Sequence, residues 1–277
     1  MRIFFIFLFF ICSCFYSPPQ ITTPYRGSIG KEDHETERFL LEKIAQTKTA
    51  TTKQLISQLS TTKCTLKTPM ANHHKMTGSD IYQQYTKSVV IVAQRYLCGN
   101  CSQWHVATSS GFMISESGAC VTSYHVIDDN KAERFIVISV DKKCYGIERV
   151  LAADKHNDFV VLQLIGHKFP MPAPLAKPTI GRKVYVISHP QRRYYSLTSG
   201  IISRLFTPES RSTNIPYVTI TADYATGSSG APIFDEYGNV IGVVSYTQSA
   251  YAGRDVQMVF KNATNAIAIL KVVKVSH

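Results

Sequence analysis

Short apolar runs separated by turn residues recur along two stretches of this chain, and each run has the length and the β-branched, aromatic content of a strand. In the first stretch the runs predict strands at 89–96, 105–114, 119–123, 135–140, 143–152 and 159–164. In the second they predict strands at 183–188, 195–205, 217–222, 231–234, 240–247 and 256–259. Helical spacing appears only at the flanks. Phe260, Ala263, Ile267 and Leu270 predict a closing helix over 260–273. Ser79-Asp80 can cap a short helix over 81–87. Further upstream, Phe39, Leu40, Ile44 and Ala45 stand on a charged background, which predicts a short amphipathic helix within 32–46. The Thr- and Lys-rich stretch 47–67 reads as a solvated spacer.

At 277 residues, one β-rich domain of about 200 residues plus an ancillary N-terminus is expected. The boundaries drawn are a signal peptide over 1–14, a spacer or stalk over 15–78 and a catalytic domain over 79–273. Met1-Arg2 supplies a minimal positive start, and residues 3–12 are uninterruptedly apolar. That run is half the roughly 20 residues a spanning helix needs, so it reads as an export signal rather than a permanent anchor. Ile11-Cys12-Ser13-Cys14 resembles a relaxed bacterial lipobox, with Cys14 as the lipidated residue and a membrane attachment through that lipid. The net charge of +11 is dispersed. No Lys/Arg block with interleaved aromatics occurs, which argues against nucleic acid as a partner and leaves a basic surface attracted to anionic polymers.

The candidate chemistry lies at the ends of predicted strands. Thr226-Gly227-Ser228-Ser229-Gly230 sets a serine between glycines just before an apolar run. Glycines there permit a tight turn, and the amides of Gly227 and Ser229 can converge on a developing oxyanion. A Gly/Ser turn is common between strands, so the segment needs partners elsewhere to mean more than a loop. His125 follows the strand at 119–123 directly, and Asp158 opens the strand at 159–164. A carboxylate in that position can fix the imidazole tautomer while the imidazole serves a serine hydroxyl. Asp154 has no strand after it and reads as a solvated turn acid.

The order His125, Asp158, Ser229 and their surroundings resemble the chymotrypsin-fold serine proteases, and most nearly the compact bacterial HtrA (Deg) branch. Gly181-Arg182-Lys183-Val184-Tyr185-Val186-Ile187-Ser188-His189-Pro190, then Leu197-Thr198-Ser199-Gly200-Ile201, is similar to that branch's entry into its second barrel. Gly238-Asn239-Val240-Ile241-Gly242 resembles the strand pair after the nucleophile. The resemblance implies an all-β fold of two six-stranded antiparallel barrels, at about 86–166 and 175–260, with a C-terminal helix and a mostly disordered or helical N-terminal extension. It implies a serine endopeptidase acting on polypeptide substrates without a cofactor, exported to the envelope or periplasm, with the triad in the cleft between barrels. Ser245-Tyr246-Thr247 would pair with substrate backbone. Ala231 and Thr226 depart from the Gly and Pro common in the branch, and the few residues after Phe260 leave no room for a PDZ domain. Asp223 lies six residues before Ser229. Trypsin-like relatives place there the acid that selects Arg or Lys, whereas the HtrA branch goes with small or medium apolar side chains, the reading favoured here. The rival to an enzyme is a catalytically silent peptide-binding module of the same fold.

Cys98-Gly99-Asn100-Cys101 falls at an expected hairpin tip, with His105 four residues later. A local disulfide between Cys98 and Cys101 ranks first and a structural metal second, because no second ligand pair stands at standard zinc spacing. A thioredoxin-like role lacks its βαβ context. Cys120 and Cys144 read as small buried apolar residues, and His73-His74 as a solvated pair rather than a metal site.

Overall fold

A computed structural model describes residues 30–209 and 214–275. The predicted signal and lipidation residue Cys14 lie outside the described residues. The elements in chain order are α1 (Lys31–Gln46), α2 (Thr52–Ser57), β1 (Cys64–Leu66), α3 (Gly78–Tyr85), β2 (Val89–Leu97), β3 (Trp104–Met113), β4 (Ala119–Thr122) and α4 (Tyr124–Ile127). Then come β5 (Ala132–Ser139), β6 (Cys144–Asp154), β7 (Phe159–Leu164), β8 (Lys183–Ser188), β9 (Ser196–Phe206) and β10 (Tyr217–Ile220). The chain closes with β11 (Pro232–Asp235), β12 (Val240–Ala252), β13 (Asp255–Asn265), α5 (Ala266–Val272) and β14 (Val273–Val275).

Among the described residues, twelve of the fourteen strands form two closed antiparallel barrels, ordered β2-β3-β4-β7-β6-β5 and β10-β13-β12-β11-β8-β9. Closure removes free sheet edges and lets inward side chains fill the interior. Val90, Val92, Met113, Phe135, Val160 and Leu162 do this in the first barrel. Val184, Val186, Val218, Ile233 and Val244 do it in the second. A third cluster, including Phe112, Val121, Phe159, Ile187, Phe234 and Val243, joins the two barrels and seals the floor beneath their cleft.

The flanks differ from expectation in three places. The closing helix begins at Ala266 rather than at Phe260, because residues 261–263 are central in the second barrel. Ala263 pairs with Val218 on one side and Val244 on the other. Asn265 then ends the strand and caps α5, its Oδ1 accepting from Ile267 N at 3.0 Å. The helix expected after Ser79-Asp80 starts at Gly78. Its cap is Thr77, whose Oγ1 accepts from Asp80 N while Asp80 Oδ2 accepts from Thr77 N.

Residues 47–67, expected as a solvated spacer, lie on the first barrel. Bulges in β6 around Ile147 and Val150 interrupt its ladder to β7. The free amides of Ile147 and Val150 donate instead to Thr49 Oγ1 and Gln58 Oε1, at 3.0 and 2.8 Å. The polar composition that reads as solvated thus completes backbone hydrogen bonds a bulge leaves open. Leu55 is fully buried in the barrel cluster, and β1 pairs in parallel with β14. On the outer face, Leu40 and Ile44 of α1 bury against Ile91, Ala93, Ile136 and Ile138.

Candidate active site

Asp158 opens β7 in a left-handed backbone conformation, φ 55°, which Asp tolerates better than most side chains. The loop before it is tied to the second barrel. Tyr217 OH donates to His156 C=O at 3.0 Å, and Thr264 Oγ1 donates to Asn157 C=O. Asp154 does not reach the histidine. It organises the turn by accepting from Asn157 N and Nδ2, at 3.0 and 2.7 Å.

His125 sits in the single turn of α4, at the end of β4, with its side chain half exposed (51%) above the nearly buried carboxylate of Asp158 (12%). Its Nδ1 lies 2.9 and 3.0 Å from the two Asp158 oxygens, and its own amide donates to Oδ1 at 3.1 Å. Nδ1–H therefore faces the carboxylate, leaving Nε2 as the free lone pair. Ser245 Oγ donates to the second carboxylate oxygen at 2.5 Å. Burial opposes ionisation of Asp158, but the bonds from His125 and Ser245 hold its carboxyl below the usual range. The hydrogen bond to Asp158 raises His125 above 6.5 against the effect of its own burial.

Ser229 is brought to this pair by Gly230. A Cβ on Gly230 would collide with Ser110 C=O and Thr122 Oγ1 and lie 2.9 Å from Ser123 N. The serine loop thus lies directly against the end of β4 that leads into His125. Ser110 N also donates to Ser229 C=O at 2.9 Å. Among the described hydrogen bonds none joins Ser229 Oγ to His125 Nε2. Such contacts tighten on substrate binding.

The loop before the serine is held from behind. Gly227 is buried, with φ 96°. Its carbonyl accepts from Ser110 Oγ at 3.0 Å, and Ser228 Oγ donates to Ser188 Oγ at 3.0 Å. Gln191 N donates to Thr226 C=O at 2.6 Å. In a planar trans peptide the carbonyl and amide point opposite ways, so this bond turns the Gly227 amide away from residue 191.

Gln191, Arg192 and Tyr195 all have positive φ (48°, 67° and 58°), a conformation that needs external support. His189 gives part of it. Fully buried, it bonds Val90 C=O through Nε2 at 3.2 Å and accepts from Tyr195 N at Nδ1, 3.0 Å. Burial pushes its pKa down to about 4, so the ring stays neutral in that tautomer. Helix α1 gives the rest. Glu37 Oε1 pairs with Arg192 Nη1 at 2.5 Å, and Asp33 Oδ1 accepts from Tyr194 N at 3.1 Å.

The structure goes against the trypsin-like alternative for Asp223 and against the expected Cys98–Cys101 disulfide. Asp223 does not form a buried acidic floor. Its side chain is 80% exposed and pairs with Lys261 Nζ at 2.7 Å, which lowers its pKa. The neighbouring Tyr224 is buried, and its OH donates to the carbonyls of Tyr246 (3.1 Å) and Asn262 (2.7 Å). The Cys98–Cys101 disulfide is not formed: both thiols are free, with sulfurs 3.4 Å apart.

Ser245 has a second duty beyond the substrate-pairing one expected of it, through its hydroxyl on Asp158. The supports His189, Gln191 and α1 were missed. His189-Pro190 stood in a quoted motif, but nothing in its spelling shows which backbone groups the ring reaches. From Ser245 onward β12 pairs with β13 and, among the described residues, with no strand on its other side.

Two closed six-stranded antiparallel barrels, with a His–Asp pair on one and a glycine-flanked serine on the other, have the chymotrypsin-like fold. A family model described as a trypsin-like peptidase domain matches residues 109–243, just under half of the chain. A probable periplasmic serine endoprotease, DegP-like, of Hahella chejuensis is 28% identical over 148 residues, 52% of this chain and 31% of that protein. A protein of the same description from Halomonas elongata is 32% identical over 138 residues, covering 49% and 28%. The chain thus spans about a third of the length of these curated relatives. An HtrA-type protease solved with a tripeptide superposes with a TM-score of 0.58 at 18% identity, covering 71% of this chain and 62% of that one. The serine endoprotease from Yersinia pestis gives 0.56 at 22% identity, covering 72% and 66%. Likeness at these identities carries the fold.

Proposed function

We propose that this protein is a serine endopeptidase of the cell envelope that cleaves polypeptides through an acyl-enzyme. The observation that carries the reading is the His125–Asp158–Ser245 hydrogen-bond chain, set against the loop of Ser229 with Nε2 left free. Ser229 Oγ attacks the peptide carbonyl carbon while Nε2 of His125 takes its proton. Asp158 keeps the tautomer and steadies the imidazolium. The carbonyl oxygen becomes an oxyanion facing the amides of Gly227 and Ser229. Collapse expels the amine, which leaves with the proton from His125, and water then repeats the sequence on the ester.

Substrate backbone adds as a strand along β12 at Ser245-Tyr246-Thr247, the usual way an extended peptide meets a sheet. With Asp223 exposed and paired to Lys261, no buried carboxylate from it awaits a cation, and the side chain preceding the cleaved bond is small or medium and apolar. Export follows from the apolar N-terminal run, with Cys14 as a lipid attachment point. Among the described residues no helix is long and apolar enough to cross a membrane.

The test is labelling by a fluorophosphonate together with hydrolysis of matched Val and Arg peptides. Wild-type protein reacts and Ser229→Ala does not. A folded wild type that fails to label would establish the silent peptide-binding module instead.

A further inference from the structure

The hairpin joining β2 to β3 carries three ligand-type side chains that the proteolytic reading leaves unused. Cys98 Sγ lies 3.4 Å from Cys101 Sγ, and Cys101 Sγ lies 3.1 Å from His105 Nε2. All three ligand atoms fall within 4.8 Å of one another. Among the described residues no other trio of His, Cys, Asp or Glu does so.

We propose that this hairpin tip is a binding site for a thiophilic divalent cation of the zinc class, held by Cys98 Sγ, Cys101 Sγ and His105 Nε2. The fourth position is open to water or an exogenous ligand.

Geometry separates this from a disulfide. Tetrahedral zinc with bonds of about 2.3 Å to sulfur and 2.0–2.1 Å to nitrogen sets its ligand atoms roughly 3.5–3.8 Å apart. The Cys98–Cys101 and Cys101–His105 pairs, at 3.4 and 3.1 Å, each need to open by only about 0.4 Å to reach that spacing. A disulfide requires about 2.05 Å between sulfurs, a closure of more than 1 Å from the present 3.4 Å, and gives His105 no role.

The surroundings also suit a dithiolate. Gly99 takes a left-handed φ of 78° with open space around it, giving the two-residue turn that lets both sulfurs face one point. Imidazole orientation is set from the side. His105 pairs with Tyr96 across the β2–β3 ladder, and the two rings lie 5.7 Å apart. Nearby cationic charge is already committed, since Arg95 pairs with Glu133 at 2.9 Å and stacks on Trp104. Binding converts two thiols to thiolates, releases two protons to water and takes His105 as the neutral imidazole.

The inference does not rest on the proteolytic reading and is tested without it. The full chain is reduced, stripped of metal and titrated with zinc and with cobalt. About one cation per chain is expected, with thiolate-to-cobalt charge-transfer absorption. Cys101→Ser should abolish that absorption, and His105→Ala should weaken binding at least tenfold. Cys101 is exposed and His105 half-buried at the start of β3, and retention of the fold in both variants is checked by circular dichroism. The proposal is overturned by absence of stoichiometric metal, by absorption that persists in Cys101→Ser, or by unchanged affinity in His105→Ala. Protein recovered from the envelope with Cys98 and Cys101 two hydrogens lighter and no zinc would restore the disulfide.

Discussion

Gly227→Ala tests the oxyanion assignment at the point where the structure leaves least room. Gly227 has φ 96°, and an added Cβ would lie 2.5 Å from the carbonyl oxygen of His189 and 3.3 Å from Gln191 N. The backbone conformation alone costs a residue with a Cβ roughly 1–2 kcal/mol. Real Cβ contacts do not fall below 3.0 Å, so the loop must also move by about 0.5 Å or more away from His189. That motion strains the Gln191–Thr226 bond that orients the Gly227 amide. Displacing one oxyanion donor removes about 10²–10³ in kcat. We therefore expect kcat on a fluorogenic peptide to fall by about 10²–10³ with KM changed by less than about threefold, since the donor acts mainly in the transition state. The melting temperature should drop by about 2–8 °C, from 1–2 kcal/mol in a domain of this size. The assay is steady-state kinetics beside fluorophosphonate labelling and a thermal melt. A folded Gly227→Ala protein with wild-type kcat would remove the Gly227 amide from the mechanism.

Asp158→Asn should cut kcat by about 10⁴, the size known for the homologous change in the general triad template, whereas Asp154→Asn should cost far less because it touches only the turn at Asn157; the reverse ranking in peptide hydrolysis would void the triad. His125 must be neutral to act as base and its pKa is raised above 6.5, so kcat/KM should fall as pH drops through a midpoint above 6.5, and a midpoint below 6 would contradict the Asp158 contact. Stability should show two opposed histidine effects in urea melts across pH: the contribution of His125 is present below 6.5 and lost as pH rises through its raised pKa, while that of His189 is present above 6.5 and lost as pH falls towards about 4. Leu40→Ala, in the fully buried face of α1, should destabilise by about 2–5 kcal/mol, and a chemical-denaturation curve unchanged from wild type would show that α1 does not pack on the barrel.

Much of this protein was legible in its sequence because the information is local. A strand buried on one face repeats every second residue, and a helix face every third or fourth, so the expected strands from 89 to 247 all form, though β5 begins three residues earlier and β12 runs five residues further than expected. The serine loop, His125 and Asp158 stand out in the sequence for a related reason: each sits at the end of a strand and carries its own punctuation. The places where reading failed share a cause. Residues 47–67 look solvated by composition, yet Thr49 and Gln58 meet the amides that bulges in β6 leave open, partners about 90 or more residues away. Asp223 looks like a specificity acid by spacing, yet Lys261 on β13 draws it outward. The window 260–273 has helical periodicity throughout, yet strand pairing claims it as far as Asn265. Residue order therefore determined which elements form and which groups could do chemistry. Only the closed barrels decided which polar groups would find partners, that Ser245 completes the His125–Asp158 pair, and that α1 stands behind the loop of Gly227. A hydrogen bond depends on where two distant segments meet in space, which no local pattern encodes.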